Sequence, residues 1–122
     1  MLLTDPNGRH TGYDTATGKV LQQIPNSYFS AQATTNIENT TSSSPADYFL
    51  DVQNPSDATY ELTLIGGQDT NSYDLTMVTF SANGSRQSAD ELKGVIISNE
   101  KKNFQINLST ASDTSSTISL LN

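Results

Sequence analysis

The chain contains no cysteine and no tryptophan, one histidine, and only six lysines and arginines in 122 residues. Without cysteine there can be no disulfide framework, no thiolate-ligated zinc and no cysteine nucleophile. With His10 the only imidazole, multi-histidine metal sites are excluded. No G-x-S-x-G lies near it, so a serine–histidine–acid triad has no basis either. Against the six basic residues stand 13 acidic ones, for a net charge of -7. Nucleic acid and anionic membrane surfaces both require clustered Lys and Arg, so neither is expected as the main partner. No apolar run approaches the ~20 residues of a membrane-spanning helix, so no membrane insertion is expected. Aromatic residues make up 7%, which weakens the case for a sugar-stacking platform. Leu2-Leu3 followed by Thr4-Asp5-Pro6 is too short for the apolar region of a signal peptide. Met1 is read as a start codon before a fragment excised from a longer parent, which would carry any leader or anchor.

What is abundant is small and polar: 16 Ser, 16 Thr and 11 Asn, while charged residues account for 16%. This composition suits an extracellular or cell-surface β-protein better than a cytosolic enzyme. The length is that of one domain, large enough to bury about two-thirds of its unfolded surface. Turn signals recur at Asp5-Pro6-Asn7-Gly8, Asp14 to Gly18, Asn54-Pro55-Ser56-Asp57, Gly66-Gly67, Ala82-Asn83-Gly84 and Asn99 to Asn103. Between them residues alternate with period two, as in Tyr60, Leu62, Leu64 and Tyr73, Leu75, Met77. That period turns one set of side chains towards a core and the other towards water. The expected fold is all-β, a single antiparallel sandwich of immunoglobulin or jelly-roll type with about seven to nine strands and under ~10% helix. Leu50, Val52, Leu62, Leu64, Leu75, Met77, Ile106 and Leu108 are the expected core, with Tyr48, Tyr60, Tyr73 and Phe104 at its margins. Gln87 to Ser98 reads as a long strand or, over Ala89–Lys93, as one helical turn. Thr40 to Ser44 reads as an exposed loop. Residues 1–109 form the expected domain, and residues 110–122 a Ser/Thr-rich tail whose Ile118-Ser119-Leu120 alternation allows a final strand.

The segment from Asp5 to Asp14 carries the most distinctive pattern. Asp5-Pro6-Asn7-Gly8 has the D-x-N-G form of a calcium loop, and Asp14 could fold back as a further oxygen ligand, giving a candidate site at Asp5, Asn7 and Asp14. Asp and Asn also dominate ordinary turns because their side chains bond the backbone two residues on. The favoured reading is therefore a structural corner of Gly8, Arg9, Gly12 and Asp14, with Arg9 neutralising Asp5 or Asp14 and no cofactor required. Tyr13, Tyr28 and Phe29 are the aromatic residues nearest loops and the candidate contacts for a sugar; the alternative places Tyr28 and Phe29 in the sandwich wall. A Lys–Asn isopeptide crosslink would need Lys19 or Lys93 buried beside an acid such as Asp51 or Glu61. Solvated lysines are the expectation.

Leu3 to Asp14, followed by Gly18 and Gln23-Ile24-Pro25-Asn26-Ser27-Tyr28, resembles the opening of accessory β-sandwich modules in large secreted bacterial and archaeal proteins. Those carry a D-x-x-G-R-x-x-G turn and an E-I-P-x-x-x-Y strand, where this chain has Gln23 in place of Glu. Tyr60-Glu61-Leu62-Thr63-Leu64-Ile65-Gly66 and Tyr73-Asp74-Leu75 are similar to the Y-x-L-x-L-x-G and Y-x-L segments of bacterial pre-peptidase C-terminal domains. The resemblance implies a non-catalytic accessory module beside the other domains of a parent chain, with glycans or surface proteins as further partners. A carbohydrate-binding module is the alternative. The isolated domain is expected to be a soluble monomer, its terminal Ile118–Leu121 segment being the one sticky edge.

Overall fold

The computed structural model describes residues 1–33, 46–110 and 115–121. Among them there is no helix, and ten strands follow in order: β1 (Leu2–Thr4), β2 (His10–Asp14), β3 (Lys19–Gln22), β4 (Ser27–Ala33), β5 (Ala46–Val52), β6 (Ala58–Ile65), β7 (Asn71–Phe80), β8 (Arg86–Ile96), β9 (Lys101–Leu108) and β10 (Thr117–Leu120). All pairings are antiparallel. One layer is a six-stranded sheet in the order β10-β9-β6-β1-β2-β3; the other consists of two separate hairpins, β4-β5 and β7-β8. The fold is an all-β sandwich. The loop expected over Thr40–Ser44 lies outside the described residues.

The alternating pattern of the sequence is what builds the layers. In β7, Tyr73, Leu75 and Met77 are turned inward while Asp74, Thr76 and Val78 are exposed. Leu50 and Val52 of β5 and Leu92 of β8 join them against the large sheet, which supplies Leu3, Tyr60, Leu62, Phe104, Ile106 and Leu108. The segment expected as a strand or a helical turn over Gln87 to Ser98 is strand as far as Ile96, with Ser98 in the turn that follows: Leu92 and Ile96 face inward, and period two is what the hairpin partner β7 demands.

The core is centred differently from the expectation. Phe104 and Tyr60, placed at the margins from sequence, are buried, with Phe104 fully inaccessible and edge-on to Tyr73 at 5.7 Å between ring centroids. The reason is register: Phe104 stands opposite Leu62, whose other neighbour is Leu3, so three large side chains share one row in the middle of the sheet. Tyr48 is the reverse case, exposed on its hairpin although its alternation matches that of Leu50. Ile118 is also a core residue, because β10 pairs with β9 from Thr117↔Asn107 to Leu120↔Phe104. The end of the chain is therefore part of the large sheet and raises the strand count to ten. The buried Ser116 hydroxyl closes the approach to β10 by accepting the Ser109 N–H and donating to the Ser109 carbonyl, at 3.0 and 3.1 Å.

The chain changes layers after β3. Thr11, fully buried in β2, accepts the Ile24 N–H and shares a 2.6 Å hydrogen bond with Ser27, whose own hydroxyl lies 2.6 Å from the Ile24 carbonyl. This knot fixes β4 over β2 and β3. Lys19 and Lys93 are exposed, and Lys93 bridges Asp74 and Glu91 at the surface. Neither is in the buried setting an isopeptide crosslink requires.

Candidate functional site

The turn between β1 and β2 is organised around one carboxylate. Asp5 is only 5% exposed. Its Oδ1 accepts the backbone N–H groups of Asn7 and Arg9 at 2.9 and 2.8 Å, and its Oδ2 accepts Nε and Nη2 of Arg9, both at 2.6 Å. Backbone bonds from the Asp5 N–H to the Arg9 carbonyl and from the Gly8 N–H to the Asp5 carbonyl complete the loop. Gly8 has φ of 79°, a conformation that costs glycine little and other residues much. Burial pushes the Asp5 pKa up, but the hydrogen bonds from Arg9 and Asn7 and the Arg9 charge outweigh it, and the carboxyl is held below its ordinary 3.8.

Gly12 belongs to the same neighbourhood for another reason. Its φ is 131°, and a Cβ there would run into the Met1 carbonyl oxygen, which accepts the Tyr13 N–H at 2.9 Å. Asp14 does not join this corner. It ends β2, four strand residues beyond His10 and so about 13 Å along the sheet. There its carboxylate accepts the Ala16 N–H and the Thr17 hydroxyl in the turn leading to Gly18. The hydroxyl of Thr17 and the N–H of Ala16 hold the Asp14 carboxyl below its ordinary value. Arg9 accordingly pairs with Asp5, and the grouping of Arg9 with Asp14 expected from sequence is corrected: five residues of extended strand separate what chain proximity suggested. His10 is tied to Thr4 across β1 and β2, with 3.0 Å between Nδ1 and Oγ1.

This geometry bears on calcium. Asp5 has both oxygens engaged by donors, Asn7 lies exposed in the turn, and Asp14 sits in a different turn. A cation at Asp5 would have to displace Arg9. We expect equal melting temperatures in excess calcium and in EDTA, by differential scanning fluorimetry. A site filled to about 100 times its dissociation constant would instead add roughly 2.7 kcal/mol, several degrees for a domain of this size. A rise of that order that vanishes in Asp5→Asn would establish the metal site.

The three candidate aromatic residues are not assembled into one platform. Tyr13 is exposed beside Val20, its partner on β3. Phe29 is buried and stacks on Tyr48 with ring centroids 6.1 Å apart and planes 14° from parallel. Tyr28, next along β4, points the other way and is 56% exposed. It shares that outer face with Phe49, the partner of Ser30. Period two explains the separation of Tyr28 from Phe29.

A second feature had no motif to announce it. Between the two hairpins opens a cleft of about 690 Å³. Leu3, Tyr60, Ile106 and Leu108 of the large sheet line its floor, with Leu50 and Val52 of β5 on one side and Met77 and Phe80 of β7 on the other. Asp51 also borders it, but its side chain alternates with those of Leu50 and Val52 and lies on the outer face with its partner Tyr28; among the described lining residues there is no Lys, Arg or His.

No protein family, curated protein or solved structure compared with the chain matches it. The resemblance to pre-peptidase C-terminal domains therefore rests on the quoted segments alone. The chemistry available to the chain is read from its own residues.

Proposed function

We propose that the chain is a non-catalytic accessory module of a larger extracellular or cell-surface protein, working beside neighbouring domains and not on a substrate. The observation that carries this reading is the state of Asp5. It is the one buried carboxylate among the described residues, and all four of its contacts are donors from its own turn. A general acid or base needs a lone pair or proton directed at a substrate, and Asp5 directs none. The Ser-, Thr- and Asn-rich composition supports an extracellular setting, and the segments resembling secreted accessory modules support the same role. The isolated domain is proposed to be monomeric, kept soluble by its net charge.

The test is a broad hydrolase and transferase panel run on the purified chain. No turnover above a heat-treated control is expected. Turnover that is lost in Asp5→Asn or Asp51→Asn would replace this reading with a catalytic one.

The carbohydrate-binding alternative has one observation in its favour, the exposed Tyr28 with Phe49 on the same face of the β4-β5 hairpin. A glycan array decides between the two. Reproducible binding abolished by Tyr28→Ala would establish a sugar site on that face, whereas the accessory reading expects no glycan above background.

A further inference from the structure

Asn-Gly occurs twice in the chain, at Asn7-Gly8 and Asn83-Gly84. The fold sets both pairs in the same kind of turn. Between β1 and β2 the Asp5 N–H donates to the Arg9 carbonyl and the Gly8 N–H to the Asp5 carbonyl, at 2.9 and 3.0 Å. Between β7 and β8 the Ser81 N–H donates to the Ser85 carbonyl and the Gly84 N–H to the Ser81 carbonyl, at 2.8 and 2.9 Å. Gly8 and Gly84 have φ of 79° and 86°. Each turn is the three-residue hairpin connection that ends on a left-handed glycine. Both asparagines are exposed.

The two turns differ in what holds them shut. The first is clamped by the buried Asp5 carboxylate, which accepts the Asn7 and Arg9 N–H groups and the Arg9 guanidinium. Pro6 further fixes its backbone. Opening it breaks charge-assisted bonds to a buried group. The second turn has Ser81, half-buried, where the first has Asp5, and residues 82–86 are all exposed. Its side-chain bonds are neutral: the Asn83 Oδ1 accepts the Ser85 N–H at 2.9 Å and the Ser81 hydroxyl. Short exposed turns of this kind lie at the low-stability end of a protein's local openings.

We infer that Asn83 is a site of self-modification, converting through a cyclic imide to isoaspartate and aspartate, and that the Asp5 clamp protects Asn7 from the same reaction. Local opening releases the Gly84 N–H from the Ser81 carbonyl. The nitrogen yields its proton to hydroxide and attacks Cγ of Asn83. Gly84 has no side chain to hinder the approach, and no other part of the protein lies within 4 Å of where a Cβ would stand. The N–Cγ bond forms, the Cγ–Nδ2 bond breaks, and Nδ2 takes a proton from water and leaves as ammonia, which regenerates the hydroxide. The donors on Oδ1 draw charge from Cγ and make it the better electrophile. Water then opens the imide at either of its two carbonyls. One opening leaves aspartate in a normal main chain; the other routes the main chain through the side chain as isoaspartate. The sum is asparagine and water giving a carboxylic acid and ammonia, with no cofactor. The product adds a negative charge to the net -7, in a turn where Arg86 is the only charged residue between Phe80 and Gln87. This inference rests on the two turns alone and not on an accessory role.

The experiment ages the full chain in mildly alkaline buffer at physiological temperature beside a free, blocked Ser-Ala-Asn-Gly-Ser peptide. Conversion is read by peptide mapping with mass spectrometry, and isoaspartate by enzymatic methylation. Expected are an acid and an isoaspartate signal in the peptide that carries Asn83, with Asn7 roughly tenfold slower or more, the factor that one additional hydrogen bond to a charged group supplies. Asn83→Gln should abolish the main acidic product. Arg9→Ala should speed the conversion of Asn7 roughly three- to tenfold and leave Asn83 unchanged, with circular dichroism confirming that the variant folds. Amide hydrogen exchange of the natural chain tests the opening without any variant: the Gly84 N–H should exchange faster than that of Gly8. Asn83 left intact after many half-lives of the free peptide overturns the proposal. So does conversion of Asn7 as fast as Asn83, equal exchange of the two glycine amides, or no acceleration of Asn7 in folded Arg9→Ala.

Discussion

Removing residues 110–122 is expected to destabilise the protein by on the order of 3–5 kcal/mol, enough to leave much of it unfolded at physiological temperature. The truncation deletes Ile118 from the core and strips β9 of one of its two ladder partners. Losing a buried isoleucine side chain alone costs about 2–5 kcal/mol. The hydrogen bonds of Ser116 with Ser109 and of the Leu121 N–H with the Asn103 carbonyl are lost as well. Phe104 stands opposite Leu120, so the best-buried side chain of the molecule loses its cover on that side. Urea unfolding of the 1–122 and 1–109 chains would measure the difference. An unchanged midpoint would mean that β10 is an appendage and that 1–109 is the autonomous domain. The truncated chain should also self-associate, because an unpaired β9 becomes an exposed apolar edge. Light scattering should therefore show larger species for 1–109 than for 1–122.

The final strand is legible in the Ile118-Ser119-Leu120 alternation, but its place in the core is not. Period two over Tyr60–Leu64, Tyr73–Met77 and Phe104–Leu108 was visible in the residues and gave the class of fold and the inward faces of three strands. Sequence could not say which strands are neighbours. Phe104 lies at the centre and not at the margin because β9 pairs with both β6 and β10, and that depends on contacts between residues far apart in the chain. A four-residue strand such as Thr117–Leu120 carries too little pattern to reveal that Ile118 completes a core. The cleft was hidden for the same reason. It is made by the way two separate hairpins pack over the large sheet, and its apolar lining reads residue by residue like any strand interior. In the corner, Asp5, Gly8, Arg9 and Gly12 stand close in sequence, so their turn chemistry could be read locally. Assigning the partner of Arg9 required knowing that the chain runs straight from His10 to Asp14.

The second large effect is expected at Asp5, and it depends on pH in a defined sense. Asp5→Ala removes a buried carboxylate that accepts two backbone N–H groups and both ends of one Arg9 fork, and it leaves the guanidinium without its partner. Hydrogen bonds to charged groups contribute about 1.5–3 kcal/mol each, but Arg9 and the exposed Asn7 can recover water, so the net cost should be about 2–4 kcal/mol. Arg9→Ala should cost less, about 1–3 kcal/mol, because the two backbone donors still hold the carboxylate. The folded-state pKa of Asp5 lies below its ordinary 3.8. Above 3.8 the unfolded chain and the folded protein both carry the charged group, and the stabilisation is complete. Between 3.8 and the folded value the unfolded chain binds the proton first, so stability falls as pH falls, and it is lost once the folded carboxyl is protonated. Asp14 and Glu100 are also held below their ordinary values, by Thr17 with Ala16 and by the Ile97 N–H with Lys102 respectively. Acid sensitivity of the whole protein therefore does not single out Asp5. The discriminating quantity is the stability difference between the natural chain and Asp5→Ala, measured by urea unfolding from pH 7 to pH 2. It should be constant down to about pH 5 and narrow steadily below pH 4. A difference that stays the same across the whole range would show that the side chain acts through packing alone, and that the charge shared with Arg9 does not hold the corner.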